Sequence, residues 1–285
     1  MSPTAANKRT ALILFVLARA CAVDTIHAQA QTMTGGSMQW VRSALIFLLL
    51  AVTVIPVASI LVIASFVAPY RVTYFWIGRP WLQFSITTIR WVGGVDCRLT
   101  GYQNLLDAAA GNRVIICSKH QSTFETFFFP SVMTNPIAYV YKKELNLVPF
   151  FGWAIGRLHM VPIDRSAKGD AWQRVARIGA RLMDQGKWII MFPEATRAPR
   201  GEQLLYKSGA ARLALETGAV IVPVAAATGR CWPRASWTFV PGTVDVSVGP
   251  ALRAMKDESA VEFMGRVEAW IEAEMRLIDA EAYAS

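Results

Sequence analysis

Between Arg42 and Arg71 the chain carries no charged residue, and Ser43 to Pro69 is almost wholly apolar. At about 1.5 Å rise per helical residue, such a run exceeds the roughly 20 residues that cross a bilayer core. It reads as a membrane helix, and any fold for this chain must accommodate it. Pro56 in its middle removes one backbone hydrogen bond and predicts a kink, which membrane helices tolerate.

The flanks are less regular. A second apolar stretch, Val72 to Val95, is interrupted by Arg79, Pro80 and Arg90 and punctuated by Trp76, Trp81 and Trp91. Tryptophan and arginine together suit the headgroup zone, so an interfacial or re-entrant helix is expected, with a core helix of the following domain as the alternative. In the first forty residues, Lys8-Arg9, the run Ala11 to Ala18 and Ala28-Gln29-Ala30 imitate a secretory signal, but Arg19 and Asp24 interrupt it and a membrane helix follows. The expected organisation is a poorly ordered extension over 1–40, a membrane helix plus interfacial helix over 41–97, and a catalytic domain over 98–285. Basic residues lie on both sides of the apolar run, so charge asymmetry does not orient it.

With 54% hydrophobic and only 17% charged residues, the 285-residue chain is no disordered polymer. Its net charge of +9 asks for an anionic partner: nucleic acid, an anionic leaflet or a phosphorylated substrate. Nucleic acid is the weakest of these, because the basic residues form no run or stripe. The four cysteines (Cys21, Cys97, Cys117, Cys231) lack C-x-x-C spacing and the histidines (His27, His120, His159) are scattered, so no zinc site is expected. The cysteines read as free thiols, with Cys117 a buried strand residue rather than a nucleophile.

From about Arg98 short β-branched runs alternate with helix-length segments. Strands are expected at 113–118, 137–140, 159–163, 187–192 and 220–225, and helices at 122–133, 170–185, 208–217 and 257–279. This alternation predicts an α/β domain, a mostly parallel central sheet flanked by helices, preceded by the N-terminal membrane-anchoring helical segment.

Two strand ends carry chemistry. His120 follows the first apolar run, where α/β sheets place functional groups, with Glu125 in the first turn of the next helix. With His120 in the loop ahead of a cap at Ser122 or Thr123, the carboxylate can reach back to the ring, as a general base requires. Alone, the pair reads equally as a structural histidine and a helix-start acid. Phe192-Pro193-Glu194-Ala195-Thr196-Arg197 follows another apolar run, and its Glu and Arg suit a polyol and a phosphate, or a local ion pair. Val161 to Arg165 ends in a third basic group, and Ile221 to Ala225 is a mute buried strand.

In this order and spacing the four runs resemble the motif blocks of the glycerolipid acyltransferase superfamily, the bacterial 1-acyl-glycerol-3-phosphate acyltransferases in particular. His120 and Glu125 match its H-x4-D/E block, Arg165 its second block, and Phe192, Pro193, Glu194, Thr196 and Arg197 its F-P-E-G-T-R block. Val222 to Val224 match the fourth, and Lys207 and Gly209 resemble a stretch just after the third. Two departures stand out. Glu125 replaces the commoner Asp, and Ala195 replaces the usual Gly, which is tolerable only at negative φ.

The resemblance implies acyl transfer from acyl-CoA or acyl-acyl carrier protein, as co-substrate, to the free hydroxyl of lysophosphatidic acid, without a cofactor or metal. In that mechanism His120 is the base, Glu125 stabilises its imidazolium, Arg165, Arg197 and Lys207 hold the phosphate, and Glu194, with Thr196, contacts the glycerol. Backbone N–H groups near Ser122 are candidates for an oxyanion site, and Phe124 and Phe127 to Phe129 line either an acyl groove or a core. It also implies an inner-membrane protein whose catalytic domain faces the cytoplasm. Alternatives are the same chemistry on another lysolipid, such as a lyso-ornithine lipid or lysophosphatidylethanolamine, a lipid ester hydrolase, or a non-catalytic lipid-binding protein.

Overall fold

The computed structural model describes residues 36–163 and 170–284. The expectations for the first 35 residues and for Arg165 lie outside the described residues.

Helix α1, Gly36–Ala64, runs unbroken through Pro56 and is long and apolar enough to cross a membrane. It is lopsided. Ile46, Leu50, Ala58 and Leu61 are buried at helical spacing, whereas Leu48, Val52, Ile55, Ile60 and Ile63 are exposed. The buried face is fastened at both ends. Ser43 Oγ accepts the Phe239 N–H at 2.9 Å, and Leu61 packs with Tyr74 and Leu158. A short α2 (Tyr70–Thr73) then leads through a π-turn at Tyr74–Gly78 into α3 (Arg79–Gly93). Pro80 has no N–H to return to the Trp76 carbonyl, and the wider turn, in which Arg79 N–H reaches back to Tyr74 O, absorbs the missing bond. Along α3, Ser85, Thr88, Ile89 and Gly93 are buried. On its outer side Trp91, like Trp76 in the π-turn, stays exposed.

After Gly94, whose φ of +68° ends α3, the chain enters the domain. Its elements are β1 (Val95–Thr100), α4 (Tyr102–Ala109), β2 (Val114–Ser118), α5 (Phe124–Val132), β3 (Ile137–Lys142), α6 (Phe151–Arg157) and β4 (Val161–Ile163). They continue with α7 (Asp170–Asp184), β5 (Trp188–Met191), α8 (Gly209–Thr217), β6 (Val220–Ala226), β7 (Gly242–Val248) and α9 (Ala260–Ile278). The strands form one seven-stranded sheet in the order β1-β7-β6-β2-β5-β3-β4. Five of them, β6 to β4 in that order, are parallel; β7 runs antiparallel to β6, and β1 is parallel to β7. The expected α/β class is therefore found, together with all five expected strands and four expected helices. Strands β1 and β7 and helices α4 and α6 were not anticipated.

Successive strand residues point to opposite faces. Val114, Ile116, Ile190 and Val222 meet Leu105, Phe124, Phe128 and Phe129 on one side, where Ile46 and Leu50 of α1 also join. Ile115, Cys117, Ile189 and Ile221 meet Val175, Leu213, Phe263 and Ile271 on the other. Both faces are covered, which is why these strands read as continuous apolar runs rather than alternating ones. Each fully buried side chain of this kind contributes roughly 1.5–3 kcal/mol.

The C-terminal end of α9 is tied down by charge. Asp279, fully buried, accepts from Arg200 at 2.7 and 2.9 Å and from Arg230 at 2.9 Å, and Arg230 also reaches Asp245 at 3.1 Å. Burial alone would raise the Asp279 carboxyl, but the two guanidinium groups outweigh it and hold it below the ordinary carboxylate range. A depressed carboxyl contributes stability that is complete above its unfolded value, about 3.9, and lost as pH falls through the folded one. Asp279→Asn is therefore expected to cost about 2–3 kcal/mol at neutral pH. In denaturant unfolding, the gap between wild type and variant should narrow below about pH 4; a constant gap would show that the ion pairs do not carry the effect.

Candidate active site

Strands β6, β2 and β5 are neighbours and parallel, so their carboxyl ends open on one edge of the sheet. His120 stands two residues beyond β2, the run Phe192 to Arg197 follows β5, and Thr228 lies two residues beyond β6. The loops are stitched together: Ala198 N–H donates to His120 O at 2.7 Å, and the His120 ring stacks on Phe192 with centroids 3.9 Å apart.

The His120 and Glu125 side chains face each other, with Nδ1 3.6 Å from Oε2. That is ion-pair range, slightly long for a hydrogen bond. Glu125 is almost fully buried at 1% exposure, and donors surround it. Oε1 accepts Gln121 N–H at 2.8 Å and Ser122 N–H at 3.0 Å, and the Thr228 hydroxyl donates to the same oxygen. A carboxylate held this way stays in place beside an imidazole. The imidazole Nδ1 is buried while 15% of the side chain remains exposed, so the open edge of the ring lies away from Glu125.

This geometry sharpens two expectations. Of the two candidate caps, Ser122 makes the bond, its Oγ accepting Phe124 N–H at 3.1 Å, while Thr123, the residue before α5, makes no side-chain cap; the Glu125 carboxylate takes up the loop N–H groups. Of the backbone N–H groups near Ser122 that were candidates for an oxyanion site, those of Gln121 and Ser122 are committed to Glu125. Thr228 was missed because a lone threonine after an apolar strand carries no signal. The mute fourth run has a role in placing it.

Glu194 is buried, and its Oε2 accepts His120 N–H at 2.8 Å while Oε1 lies 2.8 Å from Lys119 Nζ. Burial raises its carboxyl, opposed by the Lys119 ammonium and the His120 amide. Arg197 is half-buried and donates to Thr123 Oγ1 at 2.9 Å, which brings its guanidinium to the start of α5. Thr196 and Lys207 are exposed, and the Lys207 backbone N–H donates to Pro193 O at 2.9 Å. Phe124, Phe128 and Phe129 belong to the core, while Phe127 is half-buried against Trp81 and Trp232. Cys117 is fully buried and free, and burial pushes its thiol far above the reactive range. Among the described residues no three His, Cys, Asp or Glu side chains are grouped as a metal site requires.

Fold and site together define an acyltransferase domain: residues 97–227 match the family model described as Acyltransferase. The chain is 34% identical over 241 residues to the 1-acyl-sn-glycerol-3-phosphate acyltransferase of Pseudomonas aeruginosa, covering 84% of this chain and 92% of that one. It is 33% identical over 138 residues to the Escherichia coli protein of the same name, with 47% and 53% covered. The fold is shared with the crystal structure of the 1-acyl-sn-glycerophosphate (LPA) acyltransferase PlsC from Thermotoga maritima, at a TM-score of 0.70 and 21% identity over 85% of this chain and 96% of that one. The chain thus belongs to the 1-acyl-sn-glycerol-3-phosphate acyltransferase family.

One expectation is overturned. Ala195 does not adopt a negative φ; it sits at +56°, in the left-handed region that a glycine occupies without strain. The alanine therefore bears a steric cost of roughly 1–2 kcal/mol. Ala195→Gly is expected to recover about 1 kcal/mol net of glycine's unfolded-chain entropy, which thermal unfolding should show as a rise of roughly 2–4 °C. An unchanged or lowered midpoint would mean that the loop, not the residue, sets the cost.

Proposed function

We propose that the protein transfers a fatty acyl group from a thioester, carried by coenzyme A or acyl carrier protein, to the free sn-2 hydroxyl of lysophosphatidic acid, giving phosphatidic acid. The observation that carries this reading is the His120 imidazole, whose Nδ1 side faces the buried Glu125 while its other edge is open; the Arg197 guanidinium is held at Thr123, on the same loop as His120. A neutral ring with its proton on Nδ1 directs it toward Glu125 and leaves Nε2 as the base.

Nε2 takes the proton as the acceptor oxygen attacks the thioester carbonyl, and the Glu125 carboxylate stabilises the imidazolium. Collapse of the tetrahedral adduct expels the thiolate, which receives the proton from Nε2. The acceptor hydroxyl is itself the nucleophile, so no acyl-enzyme forms. Arg197 supplies a planar fork of donors for the acceptor phosphate, with exposed Lys207 and, from the sequence, Arg165 as further cations. Exposed Thr196 completes the substrate-side set implied by the family motif, whereas Glu194 is buried against Lys119 and the His120 amide. The apolar outer face of α1 and the exposed Trp76 and Trp91 support attachment to a bilayer; that this is the inner membrane, with the domain on its cytoplasmic side, is part of the proposal and rests on the family resemblance.

Thiol release from acyl-CoA in the presence of lysophosphatidic acid tests the reading. His120→Ala should lower turnover by about 10²–10⁴-fold. Arg197→Ala should raise the KM for lysophosphatidic acid by roughly 10–100-fold, the worth of a charge-assisted contact, and have less effect on an acceptor without a terminal phosphate. Release that does not depend on the acceptor would point to a hydrolase. Faster turnover of lysophosphatidylethanolamine or a lyso-ornithine lipid would reassign the acceptor.

A further inference from the structure

We propose that Lys119 is a positioning residue for this reaction, and that Glu194 acts with it rather than on the substrate. The chain of contacts starts on α9. Glu272 Oε1 lies 2.7 Å from Lys119 Nζ and accepts the Tyr206 hydroxyl at 2.8 Å. The same ammonium donates to Glu202 O at 3.0 Å and faces Glu194 Oε1 at 2.8 Å. The other oxygen of Glu194 then holds His120 N–H at 2.8 Å. The backbone of the base is thus moored to the C-terminal helix through a cation and a carboxylate.

Burial makes this a built arrangement. Lys119 is fully buried, Glu272 is 2% exposed and Glu194 4%. A buried ammonium without partners is expensive, and so is each carboxylate; they are tolerable only together. Strand register explains the layout. Ile115 and Cys117 point to the α9 side of the sheet, and Lys119, the next in that alternation, follows them. His120, one residue on, points to the α5 side. Glu194 is buried with both oxygens turned to protein partners, which is the posture of a brace. Glu272 lies beyond the residues that match the family model, so the device extends outside the motif-bearing part of the chain.

The inference rests on His120 being the base, and the experiment separates the two. Full-length wild type, His120→Ala, Lys119→Met, Glu272→Gln and Glu194→Gln are compared in detergent for kcat, for KM of both substrates and for unfolding midpoint, each assayed well below its own midpoint. Retained turnover in His120→Ala sinks the acyl-transfer reading itself. With that control inactive, Lys119→Met should lose about 10–100-fold in kcat, the scale of a sub-ångström to 1 Å displacement of a catalytic group, with both KM values within about twofold of wild type. Glu272→Gln, which is isosteric and keeps an acceptor for Lys119, provides a folded variant should Lys119→Met not fold. It should lose about 3–10-fold in kcat, again at constant KM. Glu194→Gln keeps an acceptor for the His120 amide and should likewise act on kcat. A tenfold or larger rise in the KM for lysophosphatidic acid in Glu194→Gln would make Glu194 a substrate ligand and overturn the proposal. So would wild-type kcat in a folded Lys119→Met, or in Glu272→Gln where Lys119→Met does not fold.

Discussion

Side chains alternate along a strand, and at the end of β2 this alternation separates an imidazole from an ammonium. His120 turns toward α5 and Lys119 toward α9, so the two flanking layers meet at one peptide unit. Each layer answers with a carboxylate, Glu125 from α5 and Glu272 from α9, while the loop after β5 contributes Glu194 between them. Three buried carboxylates at a sheet edge would be ruinous without donors. Here the donors are two loop amides and a hydroxyl for Glu125, an amide and an ammonium for Glu194, and the same ammonium with a phenol for Glu272. The electrostatic requirement and the topology are one constraint: only neighbouring parallel strands deliver those loops to one point.

Much of this was legible before any coordinates. Continuous apolar runs marked the five parallel strands, the innermost of which are covered on both faces, and the His120, Glu125 and Arg197 positions stood at or just beyond strand ends where chemistry belongs. What stayed hidden has physical reasons. Strand β1 interleaves Asp96 and Arg98 with its apolar residues, so it reads as a domain boundary, and its charges are answered by Arg90 and by Asp245 of β7. Thr228 and Glu272 act through contacts 103 and 153 residues away in the chain, and no local pattern encodes such pairings. On its own helix Glu272 looks like one more acid of a solvated face; only the buried lysine opposite reveals otherwise.

Glycine-dependent turns mark the other boundary of legibility. Ala195 occupies a backbone conformation its side chain disfavours, because the bonds on either side fix the loop: Ala195 N–H to Phe192 O and Lys207 N–H to Pro193 O. Gly152 is the converse case. A Cβ there would stand 2.2 Å from Leu145 O, so the close approach of α6 to the preceding turn admits no side chain, although the sequence shows only a glycine between two aromatics.

Helix α1 is packed against the domain along much of its length, from Ser43 and Ile46 near one end to Leu61 near the other, rather than joined by a free linker. A helix fastened in this way is no independent tether: when α1 lies in a bilayer, the domain is held at its surface. For an enzyme whose acceptor is an amphiphile, this converts a search through volume into a search over an area. Turnover would then follow the mole fraction of lysolipid in the surface rather than its bulk concentration, and dilution with inert lipid would act as a competitive loss of encounters.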